Sequence, residues 1–218
     1  MKNTKILEML NNSEIEQLKA LLTEEIYQNS LKSDVNAKSR YSAMKRYFKF
    51  KNSNSDLYTC QYPCKDVEID KQYYNSFVDG HCFALTTESV DTFETFDKTK
   101  CEYLNIQKLV NFSTAQSVEK IDLNSVLAKG KSKGYKYCKN EFDTTKFDYV
   151  FKYKDTYYKL GLLDKAYSII NDGEDAEVYY ANEKSVLLIK TSIGIAGVLP
   201  LRKSDDIERT KNVICAKN

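Results

Sequence analysis

The hydrophobic pattern is densest between Ala176 and Lys203, AEVYYANEKSVLLIKTSIGIAGVLPLRK. Val178-Tyr179-Tyr180, Ser185–Thr191 and Ile195–Leu201 are three runs of strand formers. The polar turn Ala181–Lys184 separates the first two, and Ser192–Gly194 the second and third. Short apolar runs with this punctuation predict an antiparallel meander. Val186-Leu187-Leu188-Ile189 is apolar at consecutive positions, so the middle strand needs cover on both faces. Pro200 cannot donate to a ladder and sets the end of the third strand.

The rest of the chain supplies the cover. The sequence predicts a short helix over Thr4–Leu10, then the capping box Ser13-Glu14-Ile15-Glu16, in which the Ser13 hydroxyl and Glu16 carboxylate can satisfy each other's backbone amides. Ile15, Leu18, Leu22 and Ile26 then recur at helical spacing and predict a helix to about Tyr27. Its apolar stripe is expected to pack on the parent domain, with partner binding as the alternative. Ser39–Phe50 predicts a second helix, with Tyr41, Met44 and Phe48 on one face. Leu57–Tyr62, Tyr73–Val78 and Cys82–Thr87 predict strands, the last two joined in a tight hairpin at Asp79-Gly80. Periodicity is poor from Ser89 to Asn140, where Ile106–Phe112 and Leu123–Lys131 suggest short helices. The lysine-rich stretch Lys129–Lys139 reads as a solvated loop. Phe147–Tyr153 predicts a strand. Tyr158–Ile170 predicts a helix with Leu160, Leu163, Ala166, Tyr167 and Ile170 on its apolar stripe, stopped by Asn171-Asp172-Gly173.

From Phe147 onward the order is strand, helix and three strands, and a weaker copy of it runs from about Ser39. The fold class is α+β, with an internal duplication of element order. The boundaries that follow are an N-terminal helical extension over residues 1–36, a body over 37–203 with an insert near 90–146, and a polar C-terminal tail over 204–218. That tail carries a short apolar patch at Val213-Ile214.

Composition changes this picture little. With 218 residues and 42% hydrophobic content the chain has enough apolar surface for a real core, and its net charge of +2 excludes a strongly basic protein overall. Six scattered cysteines in a chain of this length do not form a disulfide framework. Glu8 and Asn11 break the first apolar run too early for a signal peptide, and no run is long enough for a membrane span. The expectation is a cytoplasmic protein with reduced thiols.

Parts of the chain resemble bacterial-type DNA sliding clamps, the processivity subunits of replicative polymerases. LLDKAYSIINDGEDAEVYYANEKSVLLIKT is similar to the helix and following strands of the family's closing half-domain. GVLPLRK resembles its terminal strand, and SFVDGHCFALTTES resembles its hairpin, with Asp79, Gly80 and His81 at matching positions. The resemblance covers about half of the chain. It departs where Cys82 replaces the family's hairpin arginine, in having length for about one domain of the usual three, and in continuing past Lys203. It implies a single-domain, phage-like relative, with two helix-on-antiparallel-sheet halves, serving as a non-catalytic accessory of DNA replication or recombination. Its implied partners are double-stranded DNA and a polymerase or other replication protein, met through a short apolar peptide. A homo-oligomer would be needed to encircle DNA. The alternative is a protein-interaction module, with a phage or host partner, that keeps the fold without encircling DNA.

Two candidate sites follow. Lys45, Arg46 and Lys49 lie on the Ser39–Phe50 helix and Lys38 directly before it, in a stretch from Lys38 to Lys51 with six basic residues and no acidic one. Lysines at helical spacing can meet phosphates and release counterions, and Tyr47 and Phe50 could stack on bases. A solvated amphipathic helix is the competing reading. The resemblance also places Asp79, Gly80, His81, Leu199, Pro200 and Leu201 near one peptide groove, against a core or edge role for the last three.

The remaining chemistry is sparse. Cys60, Cys64, His81 and Cys82 have tolerable zinc spacing, but adjacent His81 and Cys82 point to opposite faces of a strand, so buried thiols are expected and no metal site. One histidine and dispersed carboxylates leave no catalytic constellation, and no phosphate-binding loop or cofactor motif is present. The expectation is a chain that is not an enzyme and holds no cofactor.

Overall fold

A computed structural model describes residues 12–30, 34–49, 62–99, 102–136, 149–201 and 212–216. Four helices are described: α1 (Asn12–Ser30), α2 (Val35–Lys49), α3 (Leu123–Ser132) and α4 (Leu160–Ile170). The strands are β1 (Cys64–Ile69), β2 (Gln72–Val78), β3 (Cys82–Thr86), β4 (Ser117–Ile121), β5 (Tyr149–Tyr153), β6 (Thr156–Lys159), β7 (Ala176–Tyr180), β8 (Leu187–Lys190), β9 (Gly194–Val198) and β10 (Asn212–Cys215). The fold is α+β. A seven-stranded antiparallel sheet has the order β1-β2-β3-β9-β8-β7-β4, and a three-stranded sheet the order β10-β5-β6.

The meander β7-β8-β9 forms as its pattern predicts, and β9 stops two residues before Pro200. Its last strand pairs with β3, Cys82 facing Val198 and Thr86 facing Gly194. Two units of like order, α2 with β1–β3 and α4 with β7–β9, therefore meet edge to edge through their final strands. Across this joint Phe83 faces Gly197, where an added Cβ would come within 2.2 Å of the ring. Only glycine leaves the aromatic side chain that room.

Alternation along the strands sorts the core into two layers. Phe77, Ala84, Leu187, Ile189, Ala196 and Val198 face the helices. Val78, Phe83, Leu85, Leu188 and Ile195 face the other way and are covered by Ile106 and Val110, from a segment with two short 3-10 turns. The middle strand β8 is thus covered on both sides. Helix α4 lies between the large sheet and the small one and packs beside α2. Nearly all of its residues are buried, Asp164 and Lys165 among them. The latter two do not form the exposed face that their charge suggests.

The remaining differences have local causes. Tyr158 belongs to β6, because a two-residue turn at Lys154-Asp155 sends the chain back along β5 before α4 begins. Strand β1 follows Pro63, while 57–61 of the strand expected before it lie outside the described residues, as do Thr4–Leu10. Where the sequence predicts one short helix over Ile106–Phe112, two 3-10 turns form at Ile106–Lys108 and Phe112–Thr114, and Lys129–Ser132 is the last turn of α3 instead of loop. Within the stretch read as an insert, β4 completes the sheet edge beside β7, and α3 buries Leu123, Val126 and Leu127 in the main core. In the stretch read as a polar tail, Val213 and Ile214 belong to β10, which runs parallel to β5. Helix α1 exposes Leu18, Leu21, Leu22 and Ile26, with Ile15 half-buried, so that part of its apolar stripe is not packed on the body as expected.

Candidate functional site: a cleft across Leu199

The β2–β3 hairpin turns at Asp79-Gly80-His81, with Gly80 at φ 85°, a conformation that favours glycine. The Asp79 carboxylate accepts the backbone amides of His81 at 2.9 Å and Cys82 at 2.8 Å, which fixes the loop. The chain leaving β9 is held beside it, the Leu199 amide donating to the His81 carbonyl at 2.9 Å. Two residues on, the Leu201 amide donates to the Tyr157 carbonyl at 2.8 Å. Leu199-Pro200-Leu201 thus bridges from the hairpin tip to the small sheet.

Three adjoining cavities share Leu199. One of about 110 Å³ is lined by Gly80, His81, Phe83, Leu104, Leu109 and Leu199. A second of about 380 Å³ runs past Lys108, Leu109, Lys184 and Val186. The third, about 510 Å³, lies between Tyr157, Asp155, Lys184 and Pro200-Leu201. Leu104, Leu109 and Leu199 are each about 40% exposed, so the cleft has an apolar floor open to solvent. Of the six residues expected here, Gly80, His81, Leu199, Pro200 and Leu201 line it. Asp79 does not: its side chain is turned into the protein.

There the Asp79 carboxylate meets the Lys165 ammonium at 2.7 Å, both side chains almost wholly buried. The same ammonium lies 4.6 Å from the centre of the Tyr47 ring. Burial pushes the Asp79 carboxyl up, but the Lys165 charge and the two loop amides outweigh it and hold it below its ordinary range. Asp79 is therefore the support of the hairpin tip, and a link from it to α4 and α2.

The basic helix is only partly the surface expected. Lys38 and Lys45 are exposed, the Lys45 ammonium lying 4.8 Å over the Tyr41 ring, and Arg46 is half-buried. Lys49 is the last residue of α2. Tyr47 is buried against Phe77 and cannot stack on bases, while Phe50 lies outside the described residues. Arg40, one of the six basic residues, is 4% exposed and structural. It donates to Glu88 through Nε at 2.9 Å and Nη2 at 2.5 Å, and to the Asn171 carbonyl at 3.1 Å.

Cys64 and Cys82 are buried thiols, Cys60 lies outside the described residues, and His81 is exposed. No group of three His, Cys, Asp or Glu residues among the described ones is placed to hold a metal ion. No helix among them is long and apolar enough to cross a membrane. Sequence reasoning missed Leu104, Leu109 and Val186, which complete the cleft, because the first two sit in a stretch without periodicity. No family model, curated protein or solved structure matches the chain.

Proposed function

We propose that this chain is a non-catalytic protein-interaction module, a clamp-like domain that captures a short apolar peptide in the cleft across Leu199 without encircling DNA. The observation that carries the reading is the meeting of the hairpin tip with the end of β9, through the Leu199–His81 hydrogen bond. It leaves Leu104, Leu109 and Leu199 half-exposed around one depression. Apolar floors with a few polar fixers suit short peptide motifs. The resemblance in the hairpin and terminal strand points to a replication or recombination protein as the source of that peptide. Leu199→Asp and Leu201→Asp are expected to weaken binding of a fluorescent leucine-rich peptide by roughly tenfold or more. Circular dichroism should be unchanged in both. Folded variants that bind the peptide like the wild type would remove the reading.

A DNA-bound accessory is the second reading, favoured by Lys38 and Lys45 exposed two turns apart on one helix face. Contacts from Lys38, Lys45, Arg46 and Lys49 to phosphates would make log affinity fall against log salt with a slope of about −3 to −4. Changing all four to Glu is expected to abolish duplex binding in an electrophoretic shift assay. A wild type that binds no duplex at low salt leaves the peptide reading alone.

A further inference from the structure

We propose that α1 is a ligand for the Leu199 cleft of a second copy of this chain. This rests on the peptide-capture reading and names an occupant for the same site. Two surfaces among the described residues are exposed and match each other. Helix α1 carries Leu18, Leu21, Leu22 and Ile26, and Leu21 and Ile26 are about 70% exposed. Their spacing of three, four and eight residues is that of the anchors an amphipathic helix lays into a groove. No described side chain of α1 is buried.

The receiving surface is the pair of cavities between Leu104, Leu109, Val186 and Leu199. Charge decides the pairing. Lys108 and Lys184 line the larger of these two cavities, and no carboxylate lines either. Helix α1 has the opposite balance, with Glu14, Glu16, Glu24 and Glu25 against Lys19 alone. An acidic helix with a leucine ridge is therefore complementary in shape class and in sign to a leucine-floored cleft with a lysine rim. The third cavity, at Leu201, sets Asp155 and Glu183 against the shared Lys184, so its lining is net acidic and suits the same helix less. The contact is heterologous, since helix and cleft are different surfaces.

The test is a mixing experiment on full-length chains, read by light scattering and sedimentation. Wild type is expected to associate, and Leu22→Glu and Leu199→Glu are each expected to be monomeric. An equimolar mixture of the two should recover a one-to-one complex, because the intact helix of the Leu199→Glu chain fits the intact cleft of the Leu22→Glu chain. Lys108→Glu combined with Lys184→Glu should weaken association by about tenfold or more. Both leucines replaced are already exposed, and circular dichroism confirms that each variant folds. A monomeric wild type at its highest soluble concentration overturns the proposal. So does a Leu199→Glu chain that still associates, which would mean that α1 pairs with α1, or a mixture that stays monomeric. A labelled Leu199→Glu chain, whose α1 is intact, titrated into the Leu22→Glu chain separates the α1 assignment from the cleft reading. If this chain fails to bind while a leucine-rich peptide binds and depends on Leu199, the cleft reading stands and the α1 assignment falls. If neither binds, both fall.

Discussion

Asp79→Asn is expected to lower stability by about 3–5 kcal/mol. The substitution keeps an oxygen for the His81 and Cys82 amides, so the hairpin tip retains its local hydrogen bonds. What it removes is the charge opposite Lys165, whose ammonium is sealed between Asp79 and the Tyr47 ring. A buried cation without its carboxylate bears the desolvation cost with little return. Lys165→Met should lose a similar amount for the converse reason. The double variant Asp79→Asn/Lys165→Met should be more stable than either single one, because it buries no net charge. Urea unfolding of the four proteins gives the comparison. A single variant within about 0.5 kcal/mol of wild type, the range of ordinary surface changes, would show that the pair carries no such weight.

The same pair sets an acid dependence. The Asp79 carboxyl is held below its ordinary value of 3.8 in the fold. Its contribution is therefore fully present above that unfolded value and is lost as pH falls through the lower folded one. Wild type should lose stability as pH falls below about 4 more steeply than Asp79→Asn, which has no carboxyl to protonate there.

Arg40→Ala is the second large effect, expected at about 3 kcal/mol, or roughly 6–12 °C in Tm. The guanidinium joins α2 to Glu88, just beyond β3, and to the carbonyl of Asn171, at the end of α4. It thus fastens the first unit's helix to both units. Arg40→Lys should recover little, since a single ammonium cannot reproduce the fork that meets Glu88 and Asn171 together. Lys38→Glu and Lys45→Glu, at exposed positions, should leave Tm nearly unchanged. Equal melting of Arg40→Ala and Lys38→Glu would contradict the structural role given to Arg40.

What was legible in the sequence was the apolar periodicity of deep elements. The stripe of α4, the β7–β9 meander and the Asp79-Gly80 turn all carry a strong local signal, and all form. Strand β4 was not legible, because at a sheet edge SVEKI buries only Ile121 fully and exposes Val118. Strand β1 is interrupted by a register shift between Cys64 and Val67, with Asp66 at φ 55°. The β1–β2 turn uses Asp70 and Lys71, both at positive φ, where glycine or asparagine is the usual mark. Lys165 and Arg40 give no local sign of their burial, because their closest partners are distant in the chain. Lys165 meets Asp79, and Arg40 meets Glu88. No local pattern announces such a pair. The cleft was half legible: the hairpin and the terminal strand came from resemblance, while Leu104 and Leu109 came only with the fold.

The joint between β3 and β9 has a consequence for biosynthesis. Its strands are separated by more than a hundred residues of chain. At ordinary translation rates β9 emerges on the order of ten seconds after β3. Through that interval the β1–β3 hairpins offer an unpaired edge at β3, a strand whose every residue is buried in the finished protein. An apolar edge of that kind is a target for chaperones and a seed for misassembly. Yield in cells should therefore depend on how quickly the second half of the chain is delivered, even where the finished fold is stable.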